Sequence, residues 1–284
     1  MILNHKKTTT ERLFSLIKKG FAPAVLSGLL FLTSCQKVID LDLNSTEKKY
    51  VIEAVVTDQT DSSKILISQT KNFNENNTFP GVSGALITVT DNTGAIANFT
   101  ESSAGVYTSK GFKGTVGRTY TLKVTVAGNN FTAVSAIPQK VNLDSAFVTG
   151  EFLFGENRNL INVLYKEPAG RGNNYRFVQY INGVKDKAIF VGNDDYNDGK
   201  AVEDKLFYIT DDDEESRKIK SGDLIWVEML CIAAPVYKYW FSLDQSATGT
   251  NQSASPANPV TNMQGGALGY FSAHTYQKKS FLVP

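Results

Sequence analysis

The feature that most constrains this chain is a hydrophobic period of two. In "TYTLKVTV", residues 119–126, Tyr120, Leu122, Val124 and Val126 alternate with Thr119, Thr121, Lys123 and Thr125. Successive side chains of a strand point to opposite faces, so one face of this segment is buried and the other is wet. The rhythm recurs in "YVIEAVV", "SKILIS", "GALITVT", "VYTS" and "FTAVSAI", between turn-forming clusters such as Asp91-Asn92-Thr93-Gly94 and Gly128-Asn129-Asn130. Short strands at this spacing, with no helical crossover pattern among them, predict an antiparallel sandwich over residues 50–137. The expected class is all-β.

Residues 138–284 are expected to form a second, mainly antiparallel β domain with one short helix. Pro138 biases Ile137 toward extended geometry and cannot donate to a central ladder, which makes Ile137-Pro138 a plausible joint. "NYRFVQYINGVKDKAIFV" predicts a hairpin with Asn182-Gly183 in a type I′ turn, where both residues need positive φ. "KLFYIT" and "DLIWVEML" supply further strands. In "PVYKYWFSLDQ", Pro235 suits a first helical turn, and Val236, Trp240 and Leu243 fall on one stripe. The polar run inside residues 246–260 reads as an exposed loop.

The N-terminal region gives an address. Lys18-Lys19, the apolar stretch Phe21 to Leu32 and the small residues Thr33-Ser34 have the three zones of an export signal. That stretch is shorter than the ~20 residues a spanning helix needs. Leu32-Thr33-Ser34-Cys35 resembles the lipobox of bacterial lipoproteins, in which a peptidase cuts before the cysteine and the thiol carries a diacylglyceryl group. The expectation is a signal peptide over 1–34, lipidation at Cys35, and a tether over 35–49. The alternative is an ordinary secretory signal with an incidental cysteine.

Charge then excludes some partners. Of 29 Lys/Arg and 28 Asp/Glu, the signal segment holds five and one, which leaves 24 basic and 27 acidic side chains, a net of −3. Nothing here is the clustered positive face that nucleic acid demands, nor a polybasic membrane patch. Membrane contact is expected through the acyl anchor, because two chains suffice for stable attachment.

Catalytic side chains are scarce, and none is assigned, nor any metal or cofactor. His5 lies in the signal, which leaves His274 alone, too few imidazoles for a histidine zinc site without carboxylates. "GVSGA" around Ser83 lacks the second glycine of the nucleophile elbow. Cys231 alternates in phase with Ile225, Val227 and Met229 and reads as a core residue. From Asp194, Gly199 falls at the sixth position of a calcium loop, but Tyr196 and Lys205 occupy two ligand positions. Asp211–Glu215 is followed by Arg217, Lys218 and Lys220, as in a solvated connection. The glycines of "MQGGALGYFS" match no phosphate loop and are expected to permit close backbone packing. Tyr237, Tyr239, Trp240, Phe241, Tyr270, Phe271 and Tyr276 are assigned mostly to core, with sugar stacking or partner anchoring as the alternative.

Two resemblances add to this. Residues 82–133, "VSGALITVTDNTG…GRTYTLKVTVAGNNFTA", are similar to the immunoglobulin- or transthyretin-like modules of carboxypeptidase regulatory type. The set "SCQKVIDLDL", "YVIEAVVTD", "PGVSGALITVTDNTG" and "NPVTNMQGGALGYFSAHT" resembles a family of Bacteroidetes lipoproteins, domain of unknown function 4249. The most telling residues are Asn258-Pro259, Asn262, Gly265-Gly266 and Gly269-Tyr270-Phe271. That resemblance implies an outer-membrane lipoprotein, on the periplasmic or cell-surface face, acting beside a TonB-dependent receptor in nutrient capture. No catalytic residues are assigned in that family, so the resemblance carries none over. A non-catalytic binding role is therefore the leading expectation, and a lipid-anchored carboxylate-based hydrolase of extracellular polymer is the alternative.

Overall fold

The computed structural model describes residues 47–72, 75, 78–153, 155–207, 218–247 and 258–284. Cys35, the expected signal segment, the expected tether up to residue 46, Asp211–Glu215 and residues 248–257 of the polar loop lie outside the described residues. Among those described, the alternating segments become strands. In chain order they are β1 (Tyr50–Thr57), β2 (Lys64–Gln69), β3 (Leu86–Asp91), β4 (Ile96–Ser103), β5 (Val106–Thr108), β6 (Thr119–Val126), β7 (Asn129–Ala136), β8 (Leu143–Leu153) and β9 (Glu156–Lys166). They continue with β10 (Asn174–Ile181), β11 (Val184–Lys185), β12 (Phe190–Asn193), β13 (Ala201–Leu206), β14 (Leu224–Cys231), β15 (Met263–Gln264), β16 (Leu268–His274) and β17 (Gln277–Leu282). One helix, α1 (Ala234–Ala247), follows β14. The all-β class is as the sequence predicts. None of the described helices is long and apolar enough to cross a membrane.

Nine strands form one ladder in the order β15-β7-β6-β3-β4-β5-β2-β1-β16. On β6 the four apolar residues of the alternating octet are all buried. They meet Ile87, Val89, Phe99, Ile52, Ile65 and Phe271 in one core. The ladder curls until its ends touch. Ala273 on β16 donates its N–H to Ser135 Oγ on β7 at 2.9 Å. Asn262 imitates a strand partner, donating Nδ2 to the Phe271 carbonyl at 2.8 Å and accepting the Phe271 N–H at 2.9 Å.

A wholly antiparallel arrangement is not what the chain adopts, because β1 and β16 pair in parallel from Val51↔Leu268 to Thr57↔His274. The two strands approach closely at Gly269, whose φ is +93° and where an added Cβ would stand 2.1 Å from the Ile52 carbonyl oxygen. Only glycine fits there. Residues 50–137 thus supply seven of the nine strands, and residues 263–274 cross back to complete the ladder. The joint at Ile137-Pro138 separates consecutive strands rather than the sheets they build.

The remaining strands make two further sheets. β11-β10-β14-β17 form one, with β12 also on β10, and β13-β9-β8 form the other. Between them pack Tyr175, Phe177, Ile225, Val227, Met229 and Cys231 against Ile161, Val163, Tyr165, Val202 and Leu206. Cys231 is a free thiol in this core, and its burial raises its pKa. The Asn182-Gly183 turn has φ +50° and +86° and closes the pair Ile181↔Val184, as a type I′ turn requires. The β6–β7 turn differs by one position from the predicted cluster, since Ala127 (φ +47°) and Gly128 (φ +81°) are its central residues and Asn129 already pairs with Val126.

Candidate functional site

On β10 and β14 the odd-numbered residues fill the core, so the alternation sends Arg176, Val178, Tyr180, Trp226 and Glu228 to the opposite face. That face looks toward α1 and β16. On β16 Phe271 and Ala273 belong to the curled core, which turns Tyr270, Ser272 and His274 outward toward the same space. Helix α1 enters with Val236 fully buried, Tyr239 buried and Trp240 half-buried. The predicted stripe was Val236, Trp240 and Leu243; Tyr239 belongs with it.

The result is an aromatic enclosure around one cation. Arg176 Cζ stands 3.3 Å from the centre of the Trp240 ring. Trp240 in turn meets Tyr270 edge-on at 5.1 Å and Tyr239 at 5.4 Å, and Tyr239 lies 4.8 Å from Tyr270. A second stack, Tyr180 on Trp226 at 4.7 Å, continues along the sheet, with Lys278 Nζ 4.0 Å from the Trp226 ring centre. Tyr276 donates its hydroxyl to Glu228 Oε1 at 2.9 Å. Glu53 on β1 stands opposite Tyr270 in the ladder.

Electrostatics single out Arg176. Burial pushes the Tyr270 and Tyr239 phenols up to about 12, and the guanidinium opposes that rise at both. Burial also raises Tyr180 and Tyr276, with Glu228 adding to each. The guanidinium's own pKa is lowered by desolvation. Lys185 is lowered by desolvation and then by Arg176, two cations repelling across the site. Arg176 makes no ion pair with any described carboxylate, and its Nε is enclosed without a hydrogen-bond partner. The Tyr270 oxygen engages part of its terminal edge, and the residue keeps part of its surface accessible. Taking a charge out of water costs several kcal/mol, whereas stacking on a tryptophan returns only about 2 kcal/mol. The nearby Glu228 and the Tyr270 oxygen return part of the difference, yet desolvation prevails, and the cation stays under-compensated by the fold alone.

Other sequence-nominated residues fall elsewhere. His274 is buried and shares a 2.8 Å hydrogen bond with Ser272 Oγ through Nδ1; both residues are at most 5% exposed, which closes this pair to a substrate. Ser83 is exposed and bonds to Glu101, far in sequence from either. Asp194 accepts the N–H groups of Gly172 and Asn173 at 3.1 and 3.0 Å, and Asp198 accepts that of Gly170 at 2.7 Å. These carboxylates fasten the loop before β10 to the loop after β12. Among the described residues no group of three His, Cys, Asp or Glu is arranged to hold a metal. Gly265 and Gly269 serve close packing as expected: a Cβ on Gly265 would stand 2.4 Å from the Asn130 carbonyl oxygen.

Sequence reasoning missed Arg176. The signal was present in "NYRFVQYI", where Arg176 is in phase with Val178 and Tyr180 rather than with other charges. A family model described as a domain of unknown function, DUF4249, matches residues 36–280. The chain belongs to that family. The match covers every described strand except the last residues of β17, and so takes in Arg176, Trp226, Trp240 and Tyr270. No curated protein is significantly similar to the chain.

Proposed function

We propose that this member of the DUF4249 family is a lipid-anchored outer-membrane lipoprotein with a non-catalytic binding role, working beside a TonB-dependent receptor in nutrient capture. The observation that carries the binding role is the aromatic enclosure around Arg176, a preformed set of packed rings in which Trp240 and Arg176 stay partly accessible and the cation has no ion pair among the described residues. Such convergent aromatic and charged groups suit recognition of a small molecule. The single histidine after the signal segment is locked against Ser272 in the interior, which supports binding over acyl-transfer chemistry. Anchoring rests on Leu32-Thr33-Ser34-Cys35 after an apolar run. Confinement to one membrane raises the effective concentration of a receptor, so a modest interface suffices for the partnership.

Affinity purification from outer membranes solubilised in mild detergent tests the partnership. A TonB-dependent receptor is expected in the eluate. An abundant, folded lipoprotein that brings down no receptor would overturn it. The hydrolase reading has one observation in its favour, that Glu53 and Glu228 both border the aromatic enclosure. Glu228→Gln separates the readings: a hydrolase loses turnover of polymer, and a binding protein has none to lose.

A further inference from the structure

The geometry points to a ligand class for this enclosure: an oxyanion, carboxylate or phosphate, carried on a flat apolar body, with the oxyanion on the Arg176 terminal nitrogens and the body against the accessible part of Trp240, behind which Tyr239 and Tyr270 are buried. The inference rests on the binding reading of the same site. Three observations support it. First, the guanidinium lies 3.3 Å over the Trp240 ring, too close for an edge-on approach, which leaves the part of its nitrogen edge not engaged by Tyr270 able to form N–H bonds to an oxyanion. Second, the neighbouring carboxylates offset the cation only in part. Glu228 acts on Arg176 without forming an ion pair and also accepts the Tyr276 hydroxyl, and Glu53 is exposed on β1. Third, the cations outnumber them, with Lys185 on β11 close enough to feel Arg176 and Lys278 over Trp226. A neutral sugar would use the rings but would leave the buried cation unpaired.

The protein carries its own reporter, because its only two tryptophans, Trp226 and Trp240, both line this space. Tryptophan emission of the full chain is titrated with sodium benzoate, with inorganic phosphate, and with benzyl alcohol as a neutral aromatic of similar size, all at constant ionic strength in sodium chloride. A saturable change with benzoate is expected, with phosphate saturating at higher concentration and benzyl alcohol giving no saturation. In Arg176→Gln the benzoate dissociation constant should rise about tenfold or more. In Arg176→Lys, which keeps the charge and loses the fork, it should rise by a smaller factor; this variant carries the test if the glutamine variant does not fold. Equal benzoate affinity in wild type and in the folded variant would overturn the inference. So would an equal response to benzyl alcohol, or no saturable response to either oxyanion. A response to phosphate without one to benzoate would overturn the flat body alone. Receptor recovery is read separately, so a failed titration with the receptor still bound removes the oxyanion and not the partnership.

Discussion

His274 offers a sharp perturbation. It lies on β16 at 5% exposure, hydrogen-bonded to Ser272 and near both Arg176 and Asp58. Desolvation first, and then the Arg176 guanidinium, lower its pKa from 6.5 to about 4, while Asp58 opposes. The folded protein therefore holds the imidazole neutral where the unfolded chain would protonate it. Above the unfolded pKa neither state carries the proton and the full stability is present. As pH falls from there toward the folded value, the unfolded state binds the proton alone, and stability falls by about 1.4 kcal/mol per pH unit. At about pH 5 the loss amounts to about 2 kcal/mol, and it levels off near 3 kcal/mol once both states are protonated. Urea unfolding of the wild type and of His274→Gln between about pH 7.5 and pH 5 measures this, since carboxylates contribute equally to both proteins. The wild type should lose about 2 kcal/mol more than the variant over that range. Parallel profiles would show that folding does not hold the His274 imidazole neutral, whatever the absolute stability of the variant.

Three further perturbations follow from local geometry. Gly269→Ala should destabilise by more than about 2 kcal/mol, from positive φ and collision with the Ile52 carbonyl, read as a lower urea midpoint. Ala127→Asn, at φ +47° in the β6–β7 turn, should stabilise by about 0.5–1 kcal/mol, because asparagine tolerates this conformation; a lower melting temperature would contradict it. Intact mass of the membrane-extracted protein should show cleavage before Cys35 plus lipid, and Cys35→Ser should release the protein from the membrane fraction; an unmodified peptide across residues 34–36 as the main species would contradict the anchor.

Local order was legible in the sequence because it depends on neighbours. The octet 119–126, the Asn182-Gly183 turn and the Val236–Trp240 stripe each follow from spacing within one element. The parallel pairing of β1 with β16 joins residues more than two hundred positions apart, and no local pattern encodes it. Alternation also hid the site. It assigns one face of a strand to core and the other to water, whereas β16 is covered on both faces, by the curled ladder and by α1 with the second sheet. Of the aromatics assigned mostly to core, Phe271 is fully buried and Tyr239 and Tyr270 are 8% exposed, whereas Tyr237, Trp240 and Tyr276 are half-buried and Phe241 is 47% exposed. What makes them a candidate site is Arg176, from a strand nearly one hundred residues earlier than Tyr270. Spacing alone could not bring them together.

If the Arg176 and Trp240 enclosure holds a small molecule, native mass spectrometry of the protein isolated from its own cells, compared with Trp240→Ala prepared in the same way, will detect it. A bound small molecule is expected on the wild type and should be lost from the folded variant. An unliganded wild type, or the same adduct at the same occupancy on both proteins, would contradict binding in the enclosure.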